Sequence, residues 1–255
     1  MRPQRLVQAY LDSGASQYAG MLGFSLFVSI LPLATGVLTV WGVLSQDPER
    51  FAAGKQLVVD VFPPEVQGAV RHALLAAGEN AWAVGLLSIL GLLWFSTGLF
   101  STTGFALNQI HGLPNRNFVH QRLRGLWLPL ALAVTVNLAV GIEILIRARS
   151  LPDWLGAVVI WLAVTYLIFF LYRYAPSITP TRGQAWPGAV VAALAIVGLS
   201  YGLPVAGHLV GRLSNETRFF AASFGLVTWV YCLAQAILFG AVFNRARLGS
   251  QVARP

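Results

Sequence analysis

DWLGAVVIWLAVTYLIFFLYR, residues 153–173, decides how this chain is read. Nineteen uncharged residues separate Asp153 from Arg173, and nearly all are aliphatic or aromatic. A hydrocarbon core about 30 Å thick takes roughly 20 apolar residues per helical crossing. The stretch predicts one membrane-spanning helix, bracketed by charges that stay in water. The same pattern recurs outward in both directions. Asp12 to Asp47 encloses 34 uncharged residues, Glu79 to Arg116 encloses 36, and Arg124 to Glu143 encloses 18. Arg182 to Arg212 encloses 29 and Arg218 to Arg245 encloses 26. Six gaps predict six transmembrane helices and an all-α, polytopic membrane protein.

Composition agrees. Hydrophobic residues make up 56% and charged residues 10%, against about 45–50% and about 25% in soluble domains. So few charges cannot cover the surface of a soluble protein of 255 residues. One domain over residues 1–255 is expected. Residues 1–17 form a polar cytoplasmic lead-in, 45–80 an extracytoplasmic amphipathic segment, and 245–255 a cytoplasmic tail. No cleavable signal peptide is expected, because the first apolar run is too long for one. Cys232 lies alone in the last apolar run and has no disulfide partner in the chain.

Lys and Arg counted on alternate sides of the six helices give ten against seven. The richer side has one acid, Asp12, and the poorer side seven. Positive loops stay inside, so both termini are predicted cytoplasmic, in a plasma (inner) membrane. The net charge of +8 then reads as topology and contact with cytoplasmic-leaflet lipid. No nucleic acid is expected as a partner. Membrane lipids and an unidentified small-molecule or lipid substrate are, and self-association is left open.

The first helix is expected over residues 19–44. Ser25, Ser29, Pro32, Gly36 and Thr39 share one face at steps of four, three, four and three. Such a stripe is a packing face, since small residues let membrane helices approach. Its functional reading is a polar pathway wall, with Pro32 freeing a carbonyl. In residues 45–80, Phe51, Val58 and Phe62 share a face before Pro63-Pro64. The second helix, over 81–107, ends at Asn108-Gln109-Ile110-His111-Gly112, stopped by Gly112 and Pro114. The third is expected over 125–146 and the fourth over 154–174. The fifth begins near Trp186-Pro187 and carries Gly198, Gly202, Gly207 and Gly211, with a kink at Pro204. The sixth covers 219–244.

Intramembrane ionisable residues are candidates for function. Glu143 stands toward the outer end of the third helix, one turn before Arg147. It is a proton-coupling candidate, or one half of an i, i+4 ion pair. His208 beside the glycine pair could titrate near neutral pH. Asn137 and Gln235 are interhelical hydrogen-bond partners or ligands, and Asn108 at the end of the second helix is a further pathway candidate. Arg173 either snorkels at its boundary or meets a substrate anion. Zinc spacing, a phosphate-binding glycine loop and a catalytic triad are all absent from the sequence. No cofactor, metal or enzymatic activity is expected.

Several stretches carry a resemblance. They are Phe24-Ser25-Leu26-Phe27-Val28-Ser29-Ile30-Leu31-Pro32, and Phe105-Ala106-Leu107-Asn108-Gln109-Ile110-His111-Gly112. Further on come Leu171-Tyr172-Arg173-Tyr174-Ala175-Pro176 and Trp186-Pro187-Gly188-Ala189. The sixth helix adds Ser223-Phe224-Gly225, Trp229-Val230-Tyr231 and Phe239-Gly240-Ala241-Val242-Phe243-Asn244. In order and spacing they resemble the YihY/virulence factor BrkB family of bacterial membrane proteins. One departure is Val242, where that family often has an acid. The resemblance implies six transmembrane helices. Some members of the family have been labelled ribonuclease BN, a label for which this sequence offers no nuclease chemistry. Resistance and export functions associated with the family imply a transporter, exporter or lipid-related permease. The alternative is a non-transporting scaffold that organises envelope lipids or partner proteins.

Overall fold

The computed structural model describes residues 3–29, 59, 67–68, 71–72, 81–115, 117–149, 152, 154–210 and 214–252. These residues are helical or in short connections, with no strand among them. We number the helices α1 (Pro3–Asp12), α2 (residues 15–29), α3 (Ala81–His111), α4 (Phe118–Gly125), α5 (Trp127–Ala148), α6 (Trp154–Tyr174), α7 (Arg182–Val210) and α8 (Asn215–Val252). Three segments among the described residues are long and apolar enough to cross a membrane: Trp154–Tyr174, Arg182–Gly202 and Phe224–Leu248.

α3 lies within its charge gap and α6 passes the end of its own only by Arg173 and Tyr174, whereas α5 runs on through Glu143 and Arg147 and α8 extends past Arg218 and Arg245 at its two ends. The fourth has the expected bounds, and the second runs one turn past Leu107. Of residues 45–80, only 59, 67–68 and 71–72 are described, and each is helical. Pro32 and Thr39 lie outside the described residues.

Helix ends follow local chemistry. Gly112 stops α3 at φ +67°, a left-handed conformation that glycine adopts without a Cβ penalty. The Leu113 N–H reaches Asn108 O at 2.8 Å and the Gly112 N–H reaches Gln109 O at 3.2 Å. That pair of bonds is a Schellman cap. α7 starts at Arg182, a turn before the expected Trp186. Thr181 is its cap: Gln184 Oε1 accepts the Thr181 N–H at 2.9 Å, and Thr181 O receives the N–H groups of Gln184 and Ala185 at 3.0 and 3.1 Å. This is the returning half of a capping box. Pro187 therefore sits in the second turn. The carbonyl it leaves without a helical donor belongs to Gly183, which is exposed. α7 continues as helix through Pro204 to Val210. α8 continues past Asn244 to Val252, so the expected tail begins as helix.

α2 runs antiparallel to α3. Tyr18 stacks edge-on with Phe105 at 6.0 Å, and Ser29 near the other end of α2 approaches Phe95. α1 folds back beside the end of α8, with the Tyr10 and Phe239 rings 5.8 Å apart. α6 and α7 form a hairpin, and α7 packs along α8. The ends of α3, α6 and α8, the start of α7, and α1 and α4 thus share one end of the bundle. Arg173, Arg182, Arg245 and Arg247 all lie there.

The core between α7 and α8 is made of small side chains. Ala185, Ala189, Ala192 and Ala193 of α7 are buried, as are Ala234, Leu238, Ala241 and Val242 of α8. Lipid tails are as apolar as leucine, so close approach rather than the hydrophobic effect holds such helices together. Large side chains point outward instead: Val158, Ile160, Leu162 and Tyr166 of α6, and Leu194 of α7, are exposed. A surface of that kind is stable only in hydrocarbon.

Candidate functional site

Four of the stretches that carry the family resemblance, residues 105–112, 171–176, 186–189 and 239–244, meet at the arginine-rich end. Trp186-Pro187-Gly188-Ala189 crosses Phe239-Gly240-Ala241-Val242-Phe243-Asn244 at backbone contact. A Cβ on Gly188 would stand 2.2 Å from Gly240 O, and one on Gly240 would stand 2.4 Å from Gly188 O. Neither helix could come so close with any other residue there. Asn244 Oδ1 accepts the Gly188 N–H at 2.7 Å, and its Nδ2 donates to Ala185 O at 3.2 Å. The Tyr172 hydroxyl donates to Ile237 O, joining α6 to the same crossing.

A second junction ties α3 to the connection after α6. Asn108 is buried, and its Nδ2 donates to Ser177 Oγ at 2.9 Å and Asn115 Oδ1 at 3.3 Å. Its Oδ1 accepts the Ser177 N–H at 2.7 Å. Ser177 Oγ in turn donates to Pro114 O at 2.7 Å. Gln121 of α4 donates to Ala175 O at 2.7 Å. Its path lies across Gly104, where a Cβ would stand 1.9 Å from Gln121 Nε2. Arg245 of α8 donates to Ile110 O at 2.5 Å. The Arg122 guanidinium lies 3.8 Å from the Trp94 ring centre, a cation–π contact that fastens α4 to α3.

Between these junctions is a cavity of about 210 Å³, whose polar lining comes from His111, Tyr172, Gln184 and Asn244. Among the described residues no carboxylate lines it. Among the described residues no three His, Cys, Asp or Glu side chains come together as metal ligands. His111 lies one turn past Leu107, where the expected span ends. Its Nδ1 is 2.8 Å from Leu107 O. That carbonyl can only accept, so Nδ1 carries the proton. Burial lowers the His111 pKa below 6.5. Arg245 adds to the lowering, and the Leu107 bond opposes it.

The sign of the pH effect follows. A histidine whose folded pKa lies below its unfolded one binds fewer protons when native. Its stabilisation is full above the unfolded value and is lost as pH falls through it. Thermal melting of the purified protein in detergent therefore drops between about pH 7.5 and 5.5, the range around the ordinary histidine value of about 6.5. His111→Phe shrinks that drop. An unchanged drop in the variant would place the pH dependence elsewhere.

The candidate residues from the sequence do not gather in one place. Asn108 sits in the polar network. Arg173 is half-buried beside it, donating to Pro180 O at 2.8 Å. Ser29 is buried in the middle of the bundle, where Oγ donates to Ser25 O at 2.6 Å and lies 3.4 Å from Phe95 O. Gln235 Nε2 donates to Tyr231 Oη at 2.5 Å on the same helix. Asn137 and Glu143 lie on α5 and His208 on α7, with side chains outside those described. Gln121, His111, Ser177 and Asn244 were not singled out as candidates. Asn244 had a visible signal: it is an amide closing an apolar helix.

Hydroxyls elsewhere mostly satisfy themselves. Thr97, Ser101, Thr103, Thr135 and Thr165 each donate to a carbonyl four residues back, at 2.7 to 2.8 Å. Such local bonds let a polar side chain sit in an apolar helix without a ligand.

The family model described as Virulence factor BrkB matches residues 6–254. A UPF0761 membrane protein of Stenotrophomonas maltophilia (strain K279a) is 25% identical over 249 residues, covering 91% of this chain and 57% of its own length. Another, from Azoarcus sp. (strain BH72), is 26% identical over 247 residues, covering 89% of this chain and 59% of its own length. The ribonuclease-like protein YfkH of Bacillus subtilis (strain 168) is 24% identical over 255 residues, covering 92% of this chain and 90% of its own length. The chain thus spans less than two thirds of the two UPF0761 proteins. No solved structure matches.

Proposed function

The chain belongs to the virulence factor BrkB family, and from that premise we propose that it is a multi-pass transporter closed at its arginine-rich end. It threads six helices through the inner membrane with both termini in the cytoplasm. It works as an exporter or lipid-related permease and carries out no covalent chemistry.

The observation that supports this reading most is where the interhelical polar bonds lie. Asn108, Gln121, Tyr172 and Asn244 each bond a neighbouring element at one end of the bundle. Tyr172 and Asn244 also line a small cavity at that end. Polar bonds that cross helices can be exchanged for water or substrate when a gate opens, whereas apolar packing cannot. Alternating access needs an end that seals and unseals around a fixed site. The second reading, a non-transporting scaffold, draws on Ser29. Its place against Phe95 fits tight helix packing rather than a water-lined wall.

Flux separates the two. Proteoliposomes carrying the full chain are loaded with a panel of metabolites and labelled lipids, with and without a proton gradient. Transport predicts at least one substrate-dependent flux above protein-free vesicles. It also predicts that locking the end, by a cross-link between residues 108 and 177, abolishes the flux. Silence across the panel with correctly folded protein favours the scaffold.

A further inference from the structure

α6 and α7 leave an open cleft of about 580 Å³ at the arginine-rich end. Its cationic groups are Arg173 at the end of α6 and Arg182 at the start of α7. Tyr166, Phe170, Tyr174 and Trp186 form aromatic walls. No acid lines it. We infer that this cleft binds the phosphate headgroup of an anionic glycerophospholipid, with the acyl chains lying along the aromatic wall of α6. The inference rests on membrane insertion and does not depend on transport.

Arg173 is held for the task. One Nη donates to Pro180 O at 2.8 Å, and its guanidinium lies 5.7 Å from the Tyr174 ring centre. Guanidinium has five N–H donors in a planar fork. Anchoring one of them to a carbonyl fixes the direction of the plane. An anion then meets donors whose rotamer entropy has already been lost. Arg182 is exposed, at the first position of α7. It can close on a phosphate from the other side of the cleft.

The aromatic walls decide between lipid and free phosphate. Phe169 stacks edge-on with Trp186 at 5.5 Å, and Phe170 tilts against Tyr174 at 4.8 Å. The rings are thus braced in pairs. Tyr166 is exposed two turns below Arg173, on a helix apolar enough to span. A free phosphate gains nothing from such a wall. A lipid places its phosphate at the arginines and its chains on the rings, at the depth where tyrosine and tryptophan belts meet headgroups. Basic pockets between membrane helices suit this occupant.

The test is native mass spectrometry of the full-length purified chain. It is titrated separately with dioleoylphosphatidylglycerol and with dioleoylphosphatidylcholine. The expected result is tighter phosphatidylglycerol binding, by about thirtyfold for two arginines at a membrane surface. Arg182→Gln lowers phosphatidylglycerol affinity roughly fivefold, and Arg182→Lys restores most of it. Arg124→Gln, outside the cleft, leaves it unchanged. Millimolar inorganic phosphate does not displace the lipid. Arg173→Gln is made in parallel; if it does not fold, Arg182→Gln decides the question. Equal affinity for the two lipids, no effect of Arg182→Gln, or displacement by inorganic phosphate overturns the proposal. The last of these outcomes would leave a simple anion site.

Discussion

Gly188→Val and Gly240→Val each prevent recovery of folded protein. At both positions a new Cβ would stand within 2.4 Å of the other helix's carbonyl oxygen. Backbone cannot rotate aside as the tip of a side chain can. α7 and α8 must separate, and separation removes the Asn244 bonds to Gly188 and Ala185. It also opens the alanine core along the same seam. Overpacking alone typically destabilises by about 1–3 kcal/mol, and parting the seam adds the exposure of two amide bonds. The expected sum exceeds about 4 kcal/mol, a large part of a typical domain's stability. Gly198 is the control, because a Cβ there meets nothing within 4 Å. Gly198→Ala behaves like the parent, or is slightly more stable through helix propensity. Fluorescence-detected size exclusion and melting in detergent read both outcomes. A Gly188→Val protein that elutes as a single peak with the parent's melting temperature would falsify the crossing.

The second large effect is expected at Asn108. Leucine has the same branching and heavy-atom count but no amide. Asn108→Leu removes both Nδ2 bonds and leaves the Ser177 N–H without its 2.7 Å acceptor. An orphaned buried polar group costs about 1–3 kcal/mol, so a loss of about 2–4 kcal/mol is expected for the network. Proteolysis should then cut first in the 175–181 connection, whose attachment to α3 runs through this side chain. A double-mutant cycle with Ser177→Ala isolates the pair. Coupling of at least about 1 kcal/mol is expected for groups sharing a network. Strict additivity would show that Asn108 and Ser177 hold the end independently.

How much of this was readable beforehand differs by residue. The end of α3 was read from Gly112 and Pro114, because a left-handed glycine is a local requirement. The start of α7 was placed a turn late. Pro187 signals a first turn more strongly than Thr181-Arg182-Gly183-Gln184 signals a cap, and the cap prevailed because it satisfies more backbone groups. α4 falls between the second helix expected over 81–107 and the third expected over 125–146, where no helix was expected. Its helix depends on Asn117, whose Oδ1 accepts the Val119 N–H at 3.4 Å, and on Arg122 lying over Trp94, a contact from another element. Asn108 was named as a candidate, but its partner Ser177 lies 69 residues away.

Charge spacing and apolar content were enough to determine that this is a helical membrane protein and that residues 154–174 form one of its apolar helices. Each segment meets that physics alone, because the cost of burying a charge or an unpaired amide in hydrocarbon does not depend on its neighbours. Only the tertiary structure decided that Gly188 lies against Gly240, that Asn244 caps that contact, and that Arg173 and Arg182 share a cleft. Those relations come from which helices pack side by side, and apolar sequence is nearly silent on that, since lipid and leucine offer a helix face almost the same environment.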